Sequence, residues 1–163
     1  MFREMRRKRQ LLSEEECKKI LERGKTAVLG VLGDDDYPYT VPINYVYHNG
    51  KIYFHCAKEG HKLDAIKRNR KVSLCVVDRD DILQNKYTTI FKSVILFGRA
   101  RTINDEKLMR EVLTVFAEKY CPDFKEGIPA EIDREFSATC VVEIDIEHIS
   151  GKQGIELVRG DVI

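Results

Sequence analysis

The residues of this chain best suited to chemistry gather in one short run, His55-Cys56-Ala57-Lys58-Glu59-Gly60-His61-Lys62. The run follows a strand-like stretch and opens a helix-like one. A glycine lets the backbone come close to a ligand. The first turn of a helix presents N–H groups without intrahelical partners, at the positive end of the helix dipole. Lys62 adds a point charge. These residue types suit a phosphate or another anion. The competing reading is a glycine loop flanked by solvated basic side chains.

Other chemistries lack their marks. There is no GxGxxG or GxxxxGK[ST] for a nucleotide, no HExxH for zinc and no GxSxG elbow. The carboxylates are scattered, with no pair spaced for acid–base work. The five cysteines are Cys17, Cys56, Cys75, Cys121 and Cys140. Their odd number and the lack of a CxxC argue against a disulfide framework and for a reducing cytoplasm. His55, Cys56 and His61 lack the paired spacing of a zinc site, so no metal is expected. If the chain is an enzyme, a bound cofactor carries the difficult step.

The elements that must position this run can be read from periodicity. Ser13 and Glu16 form an S-x-x-E capping box that opens a helix over 13–24. Residues 26–32 read as a buried strand, and Asp34 to Asp36 as a turn. Tyr37, Tyr39, Val41, Ile43, Tyr45 and Tyr47 alternate along one strand, a stripe that reads as core. Asn49-Gly50 is a hairpin turn that exposes His48, and 52–56 is its return strand. A helix over 60–70, strands over 71–77 and 88–102, and a helix from Asn104 to Pro122 follow. Residues 121–134 read as loop, and a last strand runs from Ala138 to about Glu147, with no role for His148. About six antiparallel strands and three helices therefore predict a mainly β fold, a small closed or partly closed barrel that hides its strand edges.

The 163 residues suit one domain, with a basic arm over 1–10 and a tail over 153–163. A net charge of +1 gives no field that steers the chain to nucleic acid or an anionic membrane. No apolar run reaches the ~18 residues of a spanning helix, and the N-terminus lacks a secretory h-region. A cytoplasmic protein is expected.

Three stretches carry a resemblance: PINYVY (Pro42–Tyr47), NGKIYFHCAKEGHK (Asn49–Lys62) and KRNRKVSLCVVD (Lys67–Asp78). Together they resemble the pyridoxamine 5′-phosphate oxidase-like, FMN-binding split β-barrel family, nearest its nitroimidazole-resistance branch. The basic Met5-Arg6-Arg7-Lys8, the stretch Phe91–Gly98 and the closing Ile149–Lys152 fit the same branch. The resemblance implies a homodimer with FMN at the subunit interface. Val41, Pro42, Ile43, Asn44 and Tyr45 would border the flavin ring, with Asn44 on the ring edge or a ribityl hydroxyl. His55, Cys56 and Ala57 would continue that wall, with His55 as the catalytic group beside the flavin. Gly60, His61 and Lys62 would hold the 5′-phosphate. Ser93, Val94 and Ile95 would approach the flavin, from the second subunit. Read without the resemblance, Asn44 satisfies a sheet-edge amide, His55 is a wall histidine and Ser93 is a strand residue.

The chain departs from the family's vitamin B6 oxidases. It has no tryptophan and no arginine-bearing substrate segment after Val142. The implied activity is FMN-dependent reduction of a nitroaromatic or other small planar acceptor, with NAD(P)H or a reduced protein as donor. The alternative is a non-catalytic flavin- or haem-binding module on the same fold, and a third reading is an interaction protein with an empty groove.

Overall fold

The computed structural model describes residues 2–160. Seven strands make one antiparallel sheet: β1 (Thr26–Leu32), β2 (Pro38–Asn44), β3 (Val46–His48), β4 (Lys51–Ala57), β5 (Lys71–Leu83), β6 (Thr88–Thr102) and β7 (Thr139–Gln153). Their order is β2-β1-β5-β6-β7-β4-β3. The two edge strands, β2 and β3, are separated in the chain by Tyr45 alone. The sheet must therefore curl until its edges meet, which makes it a split barrel and hides most of its edges. Five α-helices decorate it among the described residues: α1 (Glu14–Arg23), α2 (His61–Arg68), α3 (Glu106–Tyr120), α4 (Ile128–Glu135) and α5 (Ile155–Arg159). No helix among the described residues is long and apolar enough to cross a membrane.

The strand alternation sorts side chains into two faces. One register row, Val41–Leu29–Leu74–Leu96–Ile149, points inward, and its central leucines are fully buried. The next row, Pro42–Val28–Cys75–Ile95–Ser150, points outward. The core is completed by Ile20 and Leu21 of α1, Leu63 and Ile66 of α2, and Val112 and Phe116 of α3. The Ser13–Glu16 capping box is formed in both directions, and Asn49 and Gly50 both adopt positive φ, as a tight hairpin turn requires.

Three expectations are corrected. The strand read through Tyr37–Tyr47 breaks at Tyr45, which raises the count from six to seven. The Tyr120 hydroxyl accepts from the Tyr45 N–H at 3.1 Å and donates toward the Tyr45 carbonyl at 2.8 Å, while the Lys119 ammonium donates to the same carbonyl at 3.2 Å. Those partners replace ladder bonds and let the chain turn the barrel corner. The stretch read as loop contains α4, whose Ile128 and Ile132 are buried one turn apart. His48, read as exposed, is half-buried, with its Nε2 2.8 Å from Glu111 Oε1. Of the expected tail, 155–159 form α5, and 161–163 lie outside the described residues, as does residue 1 of the arm.

Gly98 marks a register shift where β6 crosses β7. A Cβ there would lie 2.8 Å from Ile144 Cγ2 and closer still to the Asp145 carbonyl oxygen. Because that oxygen belongs to backbone, Gly98→Ala is expected to lower stability by about 1–3 kcal/mol in urea unfolding. Wild-type stability in that variant would mean that the strands part more readily than the packing implies.

Candidate functional site

The start of α2 leaves backbone donors open. Gly60 has φ 137° and ψ 160°, a conformation essentially reserved for glycine. It gives the helix no side-chain cap. The first amides to bond back are those of Leu63 and Asp64, both to the Gly60 carbonyl, at 2.9 and 3.1 Å. The N–H groups of His61 and Lys62 have no such intrahelical partner and are left for a ligand. No atom lies within 4 Å of the place a Gly60 Cβ would occupy, so the approach is open. The His61 ring stacks on Tyr39 of β2 with centroids 4.2 Å apart. Asp34 lies 3.6 Å from His61 Nε2 and 2.6 Å from Arg68. Lys62 enters no salt bridge among the described residues, so its charge is available. A donor set of two amides and an ammonium fits a phosphate.

A groove of about 360 Å³ lies beside Asn44 and His55. Its other wall is Leu113, Phe116 and Tyr120 of α3 with Ile132 and Phe136 from α4 and its end. His55 stands on β4, between the inward Phe54 and the half-buried Cys56. Its ring meets Phe116 edge-on at 4.7 Å. Desolvation by these surroundings draws the His55 pKa below the ordinary imidazole value although the ring reaches solvent, so the side chain is neutral at pH 7. A neutral imidazole both accepts and donates a hydrogen bond.

The anticipated residues fall into four places. Asn44 and His55 line the groove, with Ala57 exposed beyond them on β4. The Asn44 side-chain amide donates to the Lys25 carbonyl at 3.0 Å. Gly60, His61 and Lys62 form the α2 start. Pro42 is exposed on the outer face, whereas Val41 and Ile43 pack on the core. Tyr45 is fully buried with its hydroxyl unpartnered, and Val94 is fully buried inside the barrel. Ser93 and Ile95 lie on the outer face of β6. Along the sheet Ile95 is three strand spacings from Pro42, about 14 Å.

The groove wall from α3 and α4 has no counterpart in the sequence reading. Its signals were the four-residue recurrence Leu108–Val112–Phe116 and the Ile128–Ile132 spacing, which mark a packed helix face without saying what it packs on.

Comparison with known proteins gives the setting. The family model described as pyridoxamine 5′-phosphate oxidase matches residues 13–153. A solved structure of a candidate 5-nitroimidazole antibiotic resistance protein from Bacteroides thetaiotaomicron VPI-5482 has a TM-score of 0.75 and 22% identity, covering 88% of this chain and 86% of that one. An FAD-binding protein from Mesorhizobium loti has a TM-score of 0.64 and 26% identity, covering 89% and 97%. An uncharacterized protein of Rhizobium meliloti (strain 1021) is 35% identical over 89 residues, 55% of this chain. The chain spans about half the length of that curated relative, 54%.

Proposed function

Because this chain belongs to the pyridoxamine 5′-phosphate oxidase family, we propose that it is a flavoprotein. On this reading it binds FMN non-covalently between two copies of itself and reduces a nitroaromatic or other small planar acceptor. The observation that carries this reading is the start of α2. There a glycine-only backbone, two free amides and an uncommitted lysine converge where a 5′-phosphate would sit. Bound FMN supplies hydride or single-electron transfer. Everything else falls to the chain. The amides of His61 and Lys62 hold the phosphate, and the Lys62 ammonium adds charge. The outer faces of β2 and β4, with Pro42, Asn44, His55 and Ala57, border the ring. Neutral His55 positions an acceptor or a proton at the groove.

The outer sheet face supports two copies. Val28, Ile95 and Val77 are exposed to 42%, 42% and 60%, next to Leu32 and Phe97. Contiguous apolar surface of this kind marks an interface. The three strand spacings between Pro42 and Ile95 support Ser93 and Ile95 reaching a flavin from a second copy.

Lys62→Ala is expected to weaken FMN binding by about 1–3 kcal/mol, roughly 5- to 150-fold in Kd by flavin fluorescence titration. Unchanged affinity would remove Lys62 from the site. Gly60→Ala is expected to cost about 1–3 kcal/mol of stability through backbone strain and to lower flavin retention with it.

A second reading, FAD in place of FMN, is favoured by the Mesorhizobium loti relative described as FAD-binding. Chromatography of the released flavin separates the two.

A further inference from the structure

We propose that Cys56 and Cys140 form a redox-modification site, a cross-strand dithiol that a small disulfide such as glutathione disulfide converts into a protein disulfide. Cys56 of β4 and Cys140 of β7 stand directly opposite each other in an antiparallel pair. Facing residues in such a pair have Cα atoms about 4.5–5.5 Å apart. That lies inside the roughly 4.4–6.8 Å range that a disulfide spans without backbone movement. Both cysteines are free, and each thiol bears on the other's ionisation. No other cysteine is so placed: Cys75 faces Val28 and Ile95, Cys17 packs under Gly151, and Cys121 lies exposed beyond α3.

The surroundings set the order of events. Cys140 lines an open cleft of about 570 Å³ together with Lys58, Lys67 and Thr139, against one carboxylate, Glu106. The cleft admits a small disulfide, and the two ammonium groups suit the carboxylates of glutathione, although Lys67 lies 3.5 Å from Asp64. Burial pushes both thiols up, Cys56 to about 11. The Cys56 S–H, Lys58 and Lys67 each favour the thiolate at Cys140. Cys140 is therefore the attacking sulfur. It loses its proton to solvent and displaces one glutathione thiolate, leaving a mixed disulfide. The Cys56 sulfur then attacks Cys140 Sγ and displaces the second thiolate. Two cysteine thiols are oxidised, one glutathione disulfide is reduced to two glutathiones, and the two protons end on the leaving thiols. The bond would tie β4 to β7 next to His55 and four residues before Gly60.

The purified, reduced full chain is incubated with excess glutathione disulfide, alkylated and mapped without reduction. The expected result is a loss of two of the five thiols, a mass lower by two hydrogen atoms, and a link between the tryptic peptides spanning 52–58 and 135–152. Cys56→Ser is expected to stop at a stable glutathione adduct on Cys140, and Cys140→Ser to form neither product. A wild-type chain that keeps all its thiols, or that carries glutathione only on other cysteines, overturns the proposal. The wild-type map decides even if a variant fails to fold.

Discussion

Replacing Glu143 by alanine is expected to remove about 1.5–3 kcal/mol of unfolding free energy, because it leaves the buried Tyr53 hydroxyl without its acceptor and takes a shared carboxylate from Lys51 and Arg101. Glu143 is 2% exposed in the middle of β7. Its carboxylate accepts from the Tyr53 hydroxyl at 3.1 Å and from Arg101 Nε at 2.8 Å, and lies 3.0 Å from Lys51 Nζ. Those three donors come from β4 and β6, so one side chain ties three adjacent strands together on the face that packs under α3. Burial alone would push the carboxyl up, but the hydrogen bonds from Lys51, Arg101 and Tyr53 outweigh it and hold the pKa below the usual carboxylate value. The sign follows from proton binding. The folded state takes up this proton at lower pH than the unfolded chain does, so the stabilisation is fully present above the unfolded carboxyl pKa of about 4.3. It is lost as the pH falls through the folded value. Urea unfolding from pH 7 down to pH 3 is expected to show that slope in the wild type and a shallower one in Glu143→Gln. A stable Glu143→Ala protein would mean that the strand pairing holds without this node.

Ile95→Glu is expected to give a folded monomer at micromolar concentration that loses its flavin. Ile95 sits in the middle of the outward row Pro42–Val28–Cys75–Ile95–Ser150. Its chain neighbours Val94 and Leu96 point into the barrel and are fully buried, so the change leaves the core intact. In a two-fold interface each substitution appears twice. Burying an uncompensated carboxylate costs several kcal/mol per ion. Sedimentation velocity reads the mass, and absorbance of the same sample reads the flavin. A dimer that keeps its flavin would place the interface elsewhere. A monomeric wild type would remove the shared site altogether.

The local code of this chain was legible and its long-range code was not. The capping box, the Asn49-Gly50 hairpin and the strand over 88–102 could be read because each depends on neighbouring residues only. The break at Tyr45 depends on Lys119 and Tyr120, 74 and 75 residues away in the chain, and no local pattern announces it. Helix α4 was not legible in the stretch read as loop, where Gly127 and Pro129 are residue types that interrupt a helix in mid-course. Proline in the first turn of a helix is in fact well tolerated, since its missing N–H has no partner there to lose. At the site the division is the same. The glycine-led, uncapped start of α2 could be read from Gly60-His61-Lys62 alone. The far wall of the groove needs Phe116 brought against His55 by the packing of α3, which only the fold supplies.

The most direct test of the central claim is an absorbance spectrum of the purified protein, followed by heat release and chromatographic identification of the chromophore. Flavin absorbance bands, with FMN in the supernatant, are expected. A colourless protein that also fails to bind added FMN would contradict it.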